Sequence, residues 1–363
     1  MTTHPTGTRS RGRRDVPTRE KVAFLSSRAA YGAPVRDVQI KETHMSWVFL
    51  AGERVYKLKK PVKYPFLDFS TLEAREADCR EEVRLNRRLA PDVYLGVVPL
   101  TLGADARLAL QGKGEPADWL VMLRRLPAEK MLDCAIAQGT VTQGQIGAVA
   151  DLLARFYRLA EPAGVTPREY IAHFAREQEK NHSLLTEEKF ELPQTTLAAV
   201  LSGIEAVIAD EPELLMSRAR DGRIIDGHGD LRPEHICLTE PPVIIDCLEF
   251  NSSFRLVDPF DELAFLGMEC QRLGAGWIGE TLIGHCADLL GDRPQPRLLA
   301  FYTAYRACLR ARLALAHLLE PDSRQPETWL PLAASYLAIA ERACLKLRPR
   351  EAQPASPPRG SAG

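Results

Sequence analysis

The chain has 363 residues, 47 Lys and Arg against 48 Asp and Glu, a formal net charge of -1, and a 45% hydrophobic share. That length accommodates about two domains, and the apolar share supports a substantial core, which excludes collagen-like, wholly disordered and disulfide-scaffold classes. Balanced charge supplies no global field toward nucleic acid or an anionic membrane, and no stretch approaches the ~18 uninterrupted apolar residues of a membrane span.

Arg9, Arg11, Arg13 and Arg14 lie among Thr, Ser, Gly and Pro, which predicts a disordered tail over residues 1–19. No apolar core follows those arginines as a secretory signal requires. Over residues 36–59 polar and apolar side chains alternate, and Ala51-Gly52-Glu53 interrupts them. This predicts a hairpin of strands 46–50 and 54–59, closed by Lys60-Pro61 because proline cannot continue a ladder. Ser70-Thr71-Leu72-Glu73 has the spacing of a capping box and predicts a helix to residue 89, with Pro91 ending it. Residues 97–100, 108–110 and 119–123 are strand-like.

From residue 141 the pattern turns helical: Ile146, Val149, Leu153, Phe156 and Leu159 recur at three- and four-residue steps. Further helical periods cover 168–184, 195–209, 256–272, 278–290, 296–318 and 328–346. Two short β-rich runs, 223–225 and 243–245, lie among them. Prolines from Pro349 onward predict a second disordered tail over 348–363. The fold class is therefore α+β, with a β-rich N-terminal lobe over 20–124 and a mainly helical lobe over 125–347.

The eight cysteines are scattered, with no pair at two-residue spacing. A zinc site or redox dithiol needs clustering, so the expectation is reduced thiols, mostly buried, in a cytoplasmic protein.

Chemistry concentrates in Gly227-His228-Gly229-Asp230-Leu231-Arg232-Pro233-Glu234-His235-Ile236, followed by Val243-Ile244-Ile245-Asp246. Each aspartate sits where a β segment meets a loop. Phosphoryl transfer needs such a pair: one carboxylate to orient the attacking hydroxyl and accept its proton, another to hold the metal that neutralises the phosphates.

This run resembles the catalytic loop of the protein-kinase-like fold, and more closely the His-Gly-Asp-Leu form of aminoglycoside and choline phosphotransferases. The resemblance implies that Asp230 is the catalytic base, that Arg232 takes the place of the lysine facing the γ-phosphate, and that Asp246 holds the metal. Asp258-Pro259-Phe260-Asp261-Glu262-Leu263-Ala264 resembles the Asp-Pro-x-x-Asp-Leu-Ala of the same enzymes, in which the second aspartate, here Asp261, is mainly structural. In the N-terminal lobe it implies a phosphate-gripping strand lysine, Lys57 or Lys59, held by Glu82 on the next helix. Both lysines share one strand face by alternation, so spacing leaves the choice open. Val121, Met122 and Leu123 are expected to form the hinge that receives adenine.

The chain is similar to an uncharacterised branch of aminoglycoside-phosphotransferase-like proteins over about residues 36–320. Many of those continue into a P-loop ATPase domain; no Gly-x-x-x-x-Gly-Lys-Ser/Thr occurs here, so that second activity is expected to be absent. The implied cofactors are ATP and Mg2+ or Mn2+, and the implied partner is a small-molecule acceptor, not nucleic acid or membrane. Glu262 and Glu269, with the helices of 256–346, are expected to line the acceptor pocket.

Three departures qualify the resemblance. His235 stands where active kinases place a metal-binding asparagine, and a neutral imidazole prefers softer divalent ions than Mg2+. Either metal dependence is altered, or His235 hydrogen-bonds Asp230 and one metal suffices, or the site is degenerate and the chain is a nucleotide-binding pseudokinase. Transfer of the AMP moiety is a third reading of the function. Lys41-Glu42-Thr43-His44-Met45-Ser46 contains no glycine, which leaves the backbone amides of residues 43–46 to reach phosphate. The stretch from Asp246 to Asp258 is too short for a long activation loop, which favours a small hydroxyl-bearing acceptor over a protein.

Overall fold

A computed structural model describes residues 16–32, 35–64, 67–319 and 325–347, and the chain divides into two compact units. One comprises residues 1–127 with 249–251, the other residues 128–248 with 252–363. Most of the expected 1–19 tail, the whole 348–363 tail and Phe66 lie outside the described residues.

The first unit is built on an antiparallel sheet in the order β1-β2-β3-β8-β6-β7. Its strands are β1 (Val38–Glu42), β2 (Ser46–Ala51), β3 (Arg54–Lys59), β6 (Tyr94–Leu102), β7 (Leu108–Leu110) and β8 (Glu115–Arg124). β4 (Lys63–Tyr64) and β5 (Leu67–Asp68) form a separate small ladder. The β2–β3 hairpin turns at Gly52, whose φ of 59° suits glycine. Phe49, Leu58, Val98, Leu100 and Leu120 project from one face into a core closed by Leu25 and Tyr31.

Leu25 belongs to α1 (Thr18–Ser26), a helix that overlaps the expected tail only at Thr18 and Arg19 and that the sequence pattern did not single out. It carries buried Lys21, which pairs with Asp118 at 2.8 Å, while Arg75 grips the same carboxylate at 2.9 Å. The Lys21–Asp118 pair and the apolar anchor Leu25 tie the helix to the sheet. On the other face lies α2 (Leu72–Asn86). Its cap is Thr71, which accepts from the Ala74 amide, rather than Ser70, whose hydroxyl is drawn to Asp68.

The second unit is helical: α3 (Leu132–Gln138), α4 (Gln143–Leu159), α5 (Pro167–Leu185), α6 (Gln194–Asp210), α7 (Glu213–Arg220), α8 (Pro259–Arg272), α9 (Gly276–Leu290), α10 (Pro296–Ala316) and α11 (Pro326–Leu345). α3 and α7 are additional to the sequence expectation; both are too short for periodicity to be distinctive. Between α7 and α8 run β9 (Ile225–Asp226), β10 (Ile236–Cys237), β11 (Val243–Ile244) and β12 (Leu256–Val257), paired β9 with β12 and β10 with β11. These two ladders hold the loop bearing Asp230 and Asp246. All eight cysteines are free, and every one but Cys134 is buried.

Candidate active site

In the first unit, alternation along β3 places Lys57 and Lys59 on one face, and both reach Glu82 of α2. Lys57 Nζ lies 3.0 Å from Glu82 Oε1, and Lys59 Nζ lies 2.5 Å from Oε2. Burial separates them: the Lys57 side chain is 16% exposed and that of Lys59 1%. Glu81, on the neighbouring face, pairs with Arg84 at the surface.

Lys59 meets two carboxylates that sequence spacing did not assign. Asp78 Oδ2, one helical turn before Glu82, is 2.8 Å from its ammonium, and Glu249 also pairs with it. Asp78 Oδ2 and Glu82 Oε2 both lie within ion-pair distance of the Lys59 ammonium. Burial lowers the tendency of Lys59 to stay charged, yet Glu249, Glu82 and Asp78 together hold its pKa well above the ordinary value. Burial pushes the Glu249 carboxyl up to about 7 and raises that of Asp78. Oxygens of Asp78, Glu82 and Glu249 lie within 4.8 Å of one another, a spacing that suits a metal ion. The cation already seated among them is the Lys59 ammonium.

The residues expected to face adenine and phosphate take these positions in the sheet. Val121, Met122 and Leu123 are interior to β8, facing Lys57, Tyr56 and Val55 on one edge and Val97, Gly96 and Tyr94 on the other. A ladder on each side holds this segment in the sheet. The chain leaves the sheet only at residues 125–127, where the Arg125 amide donates to Glu53 O. In the β1–β2 turn the Thr43 amide donates to Ser46 O at 2.8 Å and the Ser46 amide to Thr43 Oγ1 at 3.0 Å. Those two donors close the turn instead of pointing to a phosphate.

In the second unit the loop after β9 is clamped from beneath. Glu262, buried on the first turn of α8, accepts from the His228 amide at 2.8 Å, the Gly229 amide at 2.5 Å and the Tyr157 hydroxyl at 3.2 Å. Burial nevertheless raises its carboxyl to about 7. A Cβ at Gly227 would stand 2.5 Å from Val257 and 2.9 Å from Glu262, and Gly229 has φ 87°. Both glycines are therefore required by close approach and backbone shape. His228 Nε2–H donates to Ile245 O at 2.9 Å, tying this loop to the strand before Asp246. Burial lowers the His228 pKa to about 4, so the ring is neutral.

The loop brings Asp230, Arg232, His235 and Asp246 together. Arg232 Nε lies 3.0 Å from Asp230 Oδ1, and its Nη1 lies 2.8 Å from Glu234. His235 Nδ1–H donates to the Asp230 carbonyl at 2.8 Å, which fixes the tautomer and leaves a lone pair on Nε2. That nitrogen lies 3.5 Å from Asp246 Oδ2. Asp246 has φ 63°, a left-handed conformation that a non-glycine residue adopts at a cost. The Nε2 lone pair accepts from Arg232 Nη2 at 3.4 Å, so a divalent cation held between this imidazole and the half-exposed Asp246 carboxylate would have to displace that contact.

The remaining acidic residues are structural in geometry. Asp258 caps α8 and pairs with Arg218, and Asp261 is held by both arms of Arg306 at 2.6 and 2.7 Å. Glu262, expected to line an acceptor pocket, is spent on the loop clamp. No short motif signals that role, because its partners are 33 and 34 residues away.

The family model described as "Phosphotransferase enzyme family" matches residues 52–299, a span containing both β3 and the Asp230–Asp246 loop. The chain belongs to this phosphotransferase family. Among curated proteins, Rv2004c of Mycobacterium tuberculosis (strain H37Rv) and Mb2027c of Mycobacterium bovis, both uncharacterised, are 33% identical over 289 residues. The match takes in 77% of this chain and 56% of theirs, so the chain spans about half the length of the curated relatives it matches. Among solved structures, the GDP and kanamycin complex of APH(2")-IIia aligns with TM-score 0.56 at 12% identity, covering 89% of this chain and 98% of that one. Choline kinase from Cryptosporidium parvum aligns with TM-score 0.53 at 10% identity, covering 90% and 96%. At these identities the two alignments show a shared kinase-like fold.

Proposed function

We propose that this phosphotransferase moves the γ-phosphoryl group of ATP to a hydroxyl of a small molecule. Similar folds solved with GDP and AMP support nucleotide use. The observation that carries the reading is the rigid Asp230 loop, whose base, cation and metal-ligating pair sit on one clamped segment.

In this mechanism Lys59, or the more exposed Lys57, neutralises the nucleotide phosphates and Glu82 orients the lysine. Residues 125–127 take over the adenine-facing hinge role. Asp230 accepts the acceptor's hydroxyl proton as the new P–O bond forms and the bond to ADP breaks. Arg232 orients Asp230 and offers charge to the moving phosphoryl group. Asp246 and His235 Nε2 would hold a divalent ion, which would supply charge neutralisation to the phosphates. The balance of γ-labelled turnover tests the assignment: Asp230→Ala is expected to lower turnover at least a hundredfold while nucleotide still protects the protein against heating. Full turnover in that variant removes Asp230 as the base.

One observation favours a second reading, a nucleotide-binding regulatory module without transfer. Lys59 is 1% exposed and faces three carboxylates, an arrangement that repels phosphate as it stands. Thermal protection by ATP with each divalent ion, but no ADP formation under an acceptor screen, is the outcome that selects it.

A further inference from the structure

The C-terminal part of α8, with α10 and α11, carries a cluster of paired charges. Glu269 is 2% exposed on the last turns of α8 and is shared by two guanidinium groups, Arg272 Nε at 3.1 Å and Arg310 Nε at 3.0 Å. The Tyr336 hydroxyl donates to the same carboxylate at 2.8 Å, and both arginines lie 5.4 Å from the Tyr336 ring centroid. One carboxylate against two guanidinium groups leaves a net positive charge fixed on a rigid aromatic support.

Donors remain to be used. Arg272 Nη1 and Nη2 and Arg310 Nη1 hydrogen-bond to none of the described residues, and the two side chains are 29% and 21% exposed. Burial works against the charge on Arg310, but Tyr336, Glu269 and Asp230 raise its pKa. α8 also packs against the turn Pro233–His235 that follows Asp230.

A cationic acceptor needs carboxylates with spare acceptor capacity. Those of α8 and its cap have little: Asp258, Asp261, Glu262 and Glu269 are all buried and each is already paired, with Arg218, Arg306, backbone amides, and the Arg272–Arg310 couple. The surplus at this face is of N–H donors.

We propose that the acceptor is a small hydroxylated anion, whose phosphate or carboxylate is held by Arg272 and Arg310 while its hydroxyl meets Asp230. The proposal rests on the reading of Asp230 as the base, but the anion site is testable without turnover. The full chain, saturated with a non-hydrolysable ATP analogue and Mg2+, is titrated with methyl phosphate, acetate and tetramethylammonium while the arginine Nε–H resonances are followed. Methyl phosphate or acetate is expected to give saturable shifts at two arginines, and the stronger of the two tells a phosphate-bearing from a carboxylate-bearing acceptor.

Arg272→Gln and Arg310→Gln are each expected to weaken that binding about tenfold or more, as loss of a charge-assisted contact does. Arg272→Lys, which keeps charge without the fork, is expected to fall between. Arg272 is the more exposed of the pair, so its variants keep the test open if Arg310→Gln does not fold. Absence of a saturable shift, equal affinity in Arg272→Gln, or binding of tetramethylammonium in place of the anions overturns the proposal. Failure of the nucleotide analogue to bind at all removes the phosphotransfer reading separately, because the arginine titration is also run without it.

Discussion

Replacing Lys59 by Met isolates the charge cluster of the first unit. The substitution roughly preserves side-chain volume but removes the one cation 1% exposed among Asp78, Glu82 and Glu249. Breaking a buried ion pair on one side costs about 3–5 kcal/mol, because the remaining charge stays desolvated. Three carboxylates share the loss here, and each one protonated to relieve it costs about 1.4 kcal/mol per unit between its ordinary pKa and the working pH. The expected cost at pH 7 is therefore about 3–5 kcal/mol. Lys57→Met removes a partly exposed partner of Glu82 alone and is expected to cost about 1 kcal/mol or less.

Urea unfolding followed by the fluorescence of Trp47 and Trp119, both in this unit, measures the difference. The pH dependence supplies a second readout. Without Lys59 the buried carboxyls have folded pKa values above their unfolded ones, so the native state binds more protons and its stability rises as pH falls toward about 4.5. Lys59→Met is thus expected to regain stability on acidification, and adding Glu249→Gln is expected to recover at least about 1 kcal/mol at pH 7. Equal costs for Lys57→Met and Lys59→Met, or no recovery at low pH, refute the reasoning.

Glu249→Gln alone removes one negative charge facing Lys59 and is expected to tighten ATP binding about tenfold, read by isothermal titration; weaker binding shows that Glu249 supports the nucleotide instead. His235→Asn exchanges the Nε2 donor for an amide oxygen and is expected to raise the Mg2+-to-Mn2+ ratio of ATP-dependent thermal protection, with an unchanged ratio removing His235 from the metal site. Glu262, with its carboxyl raised to about 7, binds more protons folded than unfolded between about pH 4.5 and 7, so its contribution to stability falls by about 3 kcal/mol as pH rises through that window. Glu262→Gln is expected to flatten that part of the pH–stability curve, and a slope equal to wild type contradicts the raised value.

Much of the β2–β3 hairpin, the seven longer helices of the second unit and the order lysine, glutamate, aspartate, aspartate was legible from the chain alone. Alternation, helical period and glycine placement act over a few residues, so the sequence carries them directly. Glu82 was separable from Glu81 by its register with Leu85 and Leu89, and the fold buries the one and exposes the other. Short elements were less readable. α3 and α7 offer too few turns for a period, and α1 is stabilised by Asp118, 97 residues from Lys21.

What the sequence by itself determined is therefore the chemical inventory and its order along the chain, because each motif is written in adjacent residues. Only the tertiary structure decided which groups meet. It brought Glu249 to Lys59 across 190 positions, placed Glu262 beneath the His228–Gly229 amides, and paired residues 121–123 on both sides in β8. A buried charge takes its character from the partners packed around it, and packing joins segments whose separation no local pattern encodes.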